Sequence, residues 1–364
     1  YNSITILTEY YILKPYISGI QQIGVGVADV HEAWKWYHRA FGMDIPVFEE
    51  AATAALMLPY TGGKPQDRHA ILALNLRGGG GFEIWQYTSR TPQKAAFEVK
   101  AGDLGIFIAK IKTSDIKKAF SHLIDCGATM LSEPAQSLNG MRHFYAKDPY
   151  DNLFEIIEQK DWFSSGPGVF GGCCGAVIGV SDIEKSKLYY KALLGYETIS
   201  GETEVMDNEW RNIPGGEKKF KRAILTHEYP RKGPFSKLLG YTSIELIQAL
   251  DYQPNKIFEN RFWGDLGYIH LCFDIQGMDE MRKLCEQFGH PFTVDSSNSF
   301  DMGEAAGHFS YIEDPDGTLI EFVETHKIPI IKKIGWYLNL RNRPADKALP
   351  NWMLKALRFS RREL

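Results

Sequence analysis

The 364-residue sequence has no apolar run approaching the roughly 18 residues that would cross a bilayer. A helical membrane span is therefore excluded. Cysteine is scarce: five residues, an odd number without framework spacing, exclude a disulfide scaffold and lead us to expect reduced thiols in the cytoplasm. No charge of one sign prevails. With 41 Lys and Arg against 45 Asp and Glu, the formal net charge of −4 offers no footprint for nucleic acid, and no basic–aromatic RNA-binding pattern occurs. Ser/His/Asp and Cys/His nucleophile sets lack supporting spacing. The run GGGG at 78–81 follows no strand–helix phosphate context and is most simply a hairpin turn. What is present is the composition of a globular protein, 44% hydrophobic and 24% charged, at a length that predicts two domains.

From Ile20 the text becomes regular. QQIGVGVADV reads as a strand ending in a helix-start Asp29, and EAWKWYHRAFGM as a helix whose apolar face is Ala33, Trp36, Tyr37, Ala40 and Phe41, stopped at Gly42. AATAALMLPY, HAILALNL and GFEIWQY then read as strands, so the unit is βαβββ. It recurs, giving modules at 18–90, 102–160, 172–250 and 264–326. The second and fourth share GDLG, at Gly102 and Gly264, and a DP-turn before the last strand. The first and third share their helix start and lack that turn. The alternation reads as a duplicated pair. It predicts an N-terminal arm (1–17), a first domain (18–162), a Gly/Ser-rich linker (163–171), a second domain (172–326) and a basic tail (327–364). The tail holds ten Lys and Arg against two acids, and Trp352, Met353, Leu357 and Phe359 could stripe a short helix after Pro350. Either it docks on the acidic body or it contacts an acidic partner or a membrane surface.

Strand parity separates two faces. In the fourth module Leu271, Phe273 and Ile275 should pack on the helix, while His270, Cys272 and Asp274 face the concave side. Counting seven residues back from the helix-start Asp makes Gln22, Ile108 and Gly175 equivalent, and the shared GDLG sets Ile108 against His270. Each last strand carries one glutamate among apolar neighbours: Glu83, Glu155, Glu245 and Glu321. A carboxylate there needs a cation, a set of donors or water.

These features resemble the vicinal oxygen chelate superfamily of glyoxalase I, bleomycin resistance proteins and extradiol dioxygenases. The resemblance rests on the first-strand position, the A-x-x-[WY]-Y helix and the D-P turn before the final strand, and covers residues 18–326. It implies an α+β fold of four βαβββ modules paired into two cup-shaped mixed-sheet domains. In that family a cup holds a divalent metal that chelates vicinal oxygens of a small molecule and acts as a Lewis acid. Pairing adjacent modules gives a C-terminal cup with Glu245, His270 and Glu321, where Gly175 is the gap and Cys173 could partly fill it. It gives an N-terminal cup with Gln22, Glu83 and Glu155, where Ile108 is the gap. Neither holds four ligands. One imidazole and two carboxylates suit Fe, Zn, Mn or Ni, one ion per chain; otherwise His270 is a hydrogen-bonded core histidine.

Tyr311, in Y-x-x-D-P-x-G-x-x-x-E, and His308 are the catalytic candidates; Arg142 and Tyr145 are substrate-binding candidates. The sequence thus supports two functions: a metal-dependent glyoxalase-, dioxygenase- or isomerase-like enzyme using the C-terminal cup, or a metal-free binding protein of the bleomycin resistance kind. The partners implied are a small molecule and, for assembly, a possible homodimer.

Overall fold

The computed structural model describes residues 14–204, 210–297, 300–302, 305–331 and 336–364. Module one comprises β1 (Tyr16–Gly26), α1 (Val30–Phe41), β2 (Ile45–Thr53), β3 (Asp67–Leu74) and β4 (Gly81–Tyr87). Module two comprises β5 (Gly105–Thr113), α2 (Ile116–Asp125), β6 (Thr129–Met130), β7 (Ala135–Gln136), β8 (Arg142–Lys147) and β9 (Leu153–Glu158). Module three comprises β10 (Phe170–Gly179), α3 (Ile183–Leu194), β11 (Thr198–Thr203), β12 (Phe220–Thr226), the one-turn α4 (Ser236–Leu239) and β13 (Ser243–Ala249). Module four comprises β14 (Gly267–Gln276), α5 (Met278–Gln287), β15 (Val294–Asp295), β16 (Phe300–Met302), β17 (Ala305–Glu313) and β18 (Leu319–Thr325). The tail adds β19 (Lys327–Ile331), β20 (Trp336–Asn339) and α6 (Asn351–Lys355).

Local chemistry sets these boundaries. Asp29 caps α1 by accepting from the amides of His31 and Glu32, Asp115 caps α2, and Asp182 caps α3. Gly42 ends α1 in the left-handed conformation, φ 66°, that a side chain resists. The segment AATAALMLPY is not the strand expected of it. Strand β2 starts earlier, at Ile45, and Leu58–Tyr60 forms a 3-10 turn instead, with Pro59 supplying no amide for a ladder.

The pairing of modules overturns the expectation that neighbours in sequence share a cup. One nine-stranded sheet runs β15-β17-β18-β14-β1-β4-β3-β2, with β16 on β17, and joins modules four and one. The other runs β11-β12-β13-β10-β5-β9-β8-β6, with β7 on β8, and joins modules three and two. The seams are antiparallel, β1 against β14 and β10 against β5. Residues 18–162 and 172–326 are therefore not separate spatial domains. The expected linker is partly strand, because β10 begins at Phe170. Of the expected N-terminal arm, residues 1–13 lie outside the described residues, and Tyr16 and Ile17 open β1.

Modules adjacent in sequence meet through their helices instead. Tyr37 on α1 donates its hydroxyl to Asp148 of the second module's DP-turn at 2.7 Å, and Tyr190 on α3 donates to Asp314 of the fourth module's DP-turn at 3.2 Å. Burial raises each of these carboxyls to about 6. Around these bonds α1, α2, α3, α5 and the helix-facing sides of both sheets share one continuous core. Each fully buried Leu, Ile or Phe there contributes roughly 1.5–3 kcal/mol. The opposite sheet faces are the two cups.

The tail docks on the first module. Leu354 is buried, Met353 and Leu357 pack with Leu74, Leu76 and Leu238, and Trp352 and Phe359 remain exposed. Arg361 pairs with Asp44 at 2.8 Å and Arg362 with Glu49 at 2.5 Å. Among the described residues, no helix is long and apolar enough to cross a membrane.

Candidate metal centre

The seam between β1 and β14 builds the site. Ile23 pairs with Leu271 and Val25 with Tyr268, so Ile269 and His270 together oppose Gly24 in a β-bulge. Gly24 is what admits the imidazole: a Cβ at this position would lie 2.5 Å from His270 Cε1 and 2.7 Å from Nδ1. Parallel pairing then places Glu83 beside Gly24 and Glu321 beside Cys272, each two residues beyond the ligand position of its module.

Four side chains converge. His270 Nε2 lies 3.2 Å from Glu83 Oε2 and 3.1 Å from Glu321 Oε2. Gln22 Nε2 donates to Glu83 Oε2 at 3.1 Å and approaches Glu321 Oε2 at 3.5 Å. His270 is wholly buried, and the other three are at least nine-tenths buried. Among the described residues, His270 Nδ1 and Gln22 Oε1 have no hydrogen-bond partner. Burial alone would lower the imidazole pKa, but the charge of Glu321, reinforced by Glu83, raises it to about 10. Burial raises the Glu83 carboxyl, and the hydrogen bond and charge of His270 overcome this to leave it below its ordinary value.

This donor set fits a divalent metal. It offers one imidazole, two carboxylates and an amide oxygen once the Gln22 amide is turned over. Two carboxylates focused on one point ask for a cation that a single protonated ring only partly supplies.

The site is reachable from the cup. Glu83 and Glu321 keep 11% and 8% of their side-chain surface. Met57, Trp85, Tyr87, Trp263 and Tyr311 form the wall. The Trp263 ring lies parallel to His270 at 6.2 Å, and Tyr311 meets it edge-on at 5.5 Å. Tyr311 is directly opposite Glu321 in the ladder. Burial and the Glu321 charge hold its phenol pKa well above the ordinary value, so it is a hydrogen-bond donor and not a base near neutrality.

The second cup has the same register and a different content. Glu155 and Glu245 occupy the equivalent last-strand positions, and Ile108 and Gly175 the first-strand ones. Lys110, two residues beyond Ile108 and paired with Glu155, places its ammonium 2.6 Å from Glu155 Oε2 and 2.8 Å from Glu245 Oε2. Arg222 holds Glu245 Oε1 through Nε at 2.8 Å and Nη2 at 2.7 Å. His143 Nδ1 meets Glu155 Oε1 at 2.7 Å. Both carboxylates keep only 1% of their surface, beneath Trp210 and Tyr145. The ammonium of Lys110 stands where the other cup gathers His270 and Gln22. This cup is closed by salt bridges.

Several expectations change accordingly. Glu245 is not a partner of His270; it belongs to the Lys110 network because module three pairs with module two. Gln22 and Glu83 join His270 and Glu321, completing the four-residue set that neighbour pairing left incomplete. Glu155, expected beside Gln22 and Glu83, is in the other cup. His308 faces away from the cup, buried and 2.5 Å from Asp295. Arg142 likewise points outward, half-exposed, 3.4 Å from Glu158. Tyr145 is inside the closed cup, accepting from the Trp210 indole at 3.1 Å. Cys173 does not fill the gap at Gly175: a register shift between the two turns it into the helix-side core. All five cysteines are unpaired. Gly24 and Lys110 are the cup-facing positions to which sequence reasoning gave no role. Lys110 was legible as a cation on the inward face, one ladder step from a glutamate.

Sheet order, module repeat and cup define a glyoxalase/bleomycin resistance/dioxygenase fold. Solved structures bear this out. A mutant of glyoxalase I from Zea mays, crystallised in space group P6(3), superposes with a TM-score of 0.53 at 15% identity, covering 84% of this chain and 92% of that one. Glyoxalase I from Zea mays itself gives 0.51 at 16% identity, covering 84% and 92%. A putative dioxygenase from Bacillus subtilis subsp. subtilis str. 168 gives 0.51 at 14% identity, covering 85% and 86%. At these identities the likeness is one of fold. No curated protein matches the sequence. Residues 19–156 match the family model for the Glyoxalase/Bleomycin resistance protein/Dioxygenase superfamily.

Proposed function

We propose that the chain is a metal-dependent vicinal oxygen chelate enzyme whose single centre comprises Gln22, Glu83, His270 and Glu321. The observation that carries this reading is the convergence of four buried ligand side chains at the seam of modules one and four. The other cup meets its two equivalent carboxylates with Lys110, Arg222 and His143 instead. A bound divalent ion would supply Lewis acidity toward two adjacent oxygens of a small molecule, such as an α-keto hemithioacetal, a catechol or a hydroxy-keto acid.

This chain's residues have distinct tasks in that reading. Glu321 is the group placed to accept a proton, lying directly opposite protonated Tyr311 in the ladder. Tyr311 donates a hydrogen bond to an oxyanion. Trp263 and Trp85 exclude water, and their indole N–H groups, which have no partner among the described residues, are donors for substrate oxygens. Both halves of the site come from one chain, so a second copy is not needed to complete it.

The test is metal analysis of protein purified without chelators and again after reconstitution. About one transition-metal equivalent at this centre is expected, lost on His270→Ala, with activity toward one of the three substrate classes. A folded wild-type protein that binds small molecules but never takes up metal at this centre would favour the metal-free binding reading instead.

A further inference from the structure

Far from the central cup, three ligand-type side chains from three elements meet at the outer edge of module one. His31 belongs to the first turn of α1, Glu49 to the edge strand β2 and His69 to β3. In the β2–β3 ladder Glu49 opposes Ile71 and Ala51 opposes His69, so Glu49 and His69 are diagonal neighbours on the face that α1 covers. We propose that His31, Glu49 and His69 form a second metal site, for a borderline divalent cation such as Zn2+.

The distances favour a shared ion over a hydrogen-bonded cluster. His31 Nδ1 is 3.9 Å and His69 Nε2 is 3.8 Å from the same oxygen, Glu49 Oε1. Both exceed hydrogen-bond length, about 2.7–3.2 Å. Ligand atoms around a tetrahedral ion with bonds near 2.0–2.1 Å lie about 3.3 Å apart, so each imidazole–carboxylate distance needs to shorten by only about half an ångström. The three ligand atoms lie within 4.8 Å of one another, and the imidazole rings meet edge-on with centroids 5.0 Å apart, both directed at one carboxylate.

The carboxylate is already oriented. Arg362 of the tail takes Glu49 Oε2 at 2.5 Å, leaving Oε1 to the imidazoles. Two imidazoles and one carboxylate select Zn2+, Co2+, Ni2+ or Cu2+ over Mg2+ or Ca2+. His31 keeps 52% of its side-chain surface, so the fourth coordination position opens to water. An ion here ties the start of α1 to the edge hairpin β2–β3.

The experiment titrates chelator-stripped protein with Zn2+ by calorimetry and with Co2+ by visible absorption. It uses wild type, His270→Ala, and His270→Ala combined with His31→Ala or with His69→Gln. Glu83→Gln serves as an alternative background should His270→Ala fold poorly. Removing the central ligand isolates the proposed site, so the result does not depend on whether the central cup is catalytic. The expected result is one Zn2+ per chain retained in the single variant, with affinity falling at least tenfold in each double variant while circular dichroism is unchanged. Because His31 and His69 are partly exposed, their substitution leaves the core intact. Equal binding by the single and double variants would overturn the proposal, as would a folded single variant that binds no Zn2+.

Discussion

Replacing Lys110 by Met should destabilise the protein by about 3–5 kcal/mol at neutral pH, because it removes one partner of a buried ion network. Lys110 keeps 1% of its side-chain surface and bridges two carboxylates at 2.6 and 2.8 Å. Met retains most of the apolar stem, so the packing loss stays below about 1.5 kcal/mol. A second route gives a similar figure. Burial pushes the Glu155 carboxyl up, but the Lys110 charge and then His143 overcome this and hold it at about 2. Against an unfolded value near 4.3, that depression is worth about 3 kcal/mol. The sign follows from the depressed value. In the wild type this stabilisation is fully present above pH ~4.3 and is lost as pH falls toward 2. In Lys110→Met the two carboxylates retain Arg222 and His143 but lose the ammonium between them, and the pair takes up a proton at higher pH. The penalty should therefore shrink on acidification, from about 4 kcal/mol at pH 7.5 to less than about 2 at pH 4.5. Guanidinium unfolding followed by tryptophan fluorescence at these two pH values measures it. A penalty below about 1 kcal/mol at pH 7.5, or one that stays flat with pH, would refute the reasoning.

Two further predictions concern the open cup. Gly24→Ala sets a methyl 2.5 Å from the His270 ring, so the ring must leave the centre; in a His31→Ala background, which removes the outer site, metal content measured by mass spectrometry should fall at least tenfold while circular dichroism stays close to wild type. Glu83→Gln and Glu245→Gln distinguish the two ways of pairing modules. The first should abolish metal uptake at the central site with a small change in stability, and the second should leave metal stoichiometry intact while lowering the unfolding midpoint, since it breaks the Arg222 and Lys110 contacts.

The fold was legible because each module writes its own elements: an Asp before the helix in the first three modules, and in all four an apolar stripe along the helix and a glutamate among apolar neighbours in the last strand. The ligand register was legible for the same reason. Gln22, Ile108, Gly175 and His270 occupy equivalent first-strand positions, each two steps from the strand partner of its module's glutamate. What the sequence does not write is which module lies across the seam. That choice depends on antiparallel contacts between β1 and β14, about 250 residues apart, for which a single sequence carries no local mark. The shared helix tyrosines and DP-turns looked like evidence that neighbours pair. They do record a contact between neighbours, Tyr37 with Asp148 and Tyr190 with Asp314, but it crosses from one sheet to the other through the helix layer. The duplicated pair is thus conjoined by its back faces, and each cup is completed by a module from the other half of the chain. This arrangement makes the two cups chemically unlike: every inward-facing position is free to differ between them, and Lys110 against His270 is where they differ most.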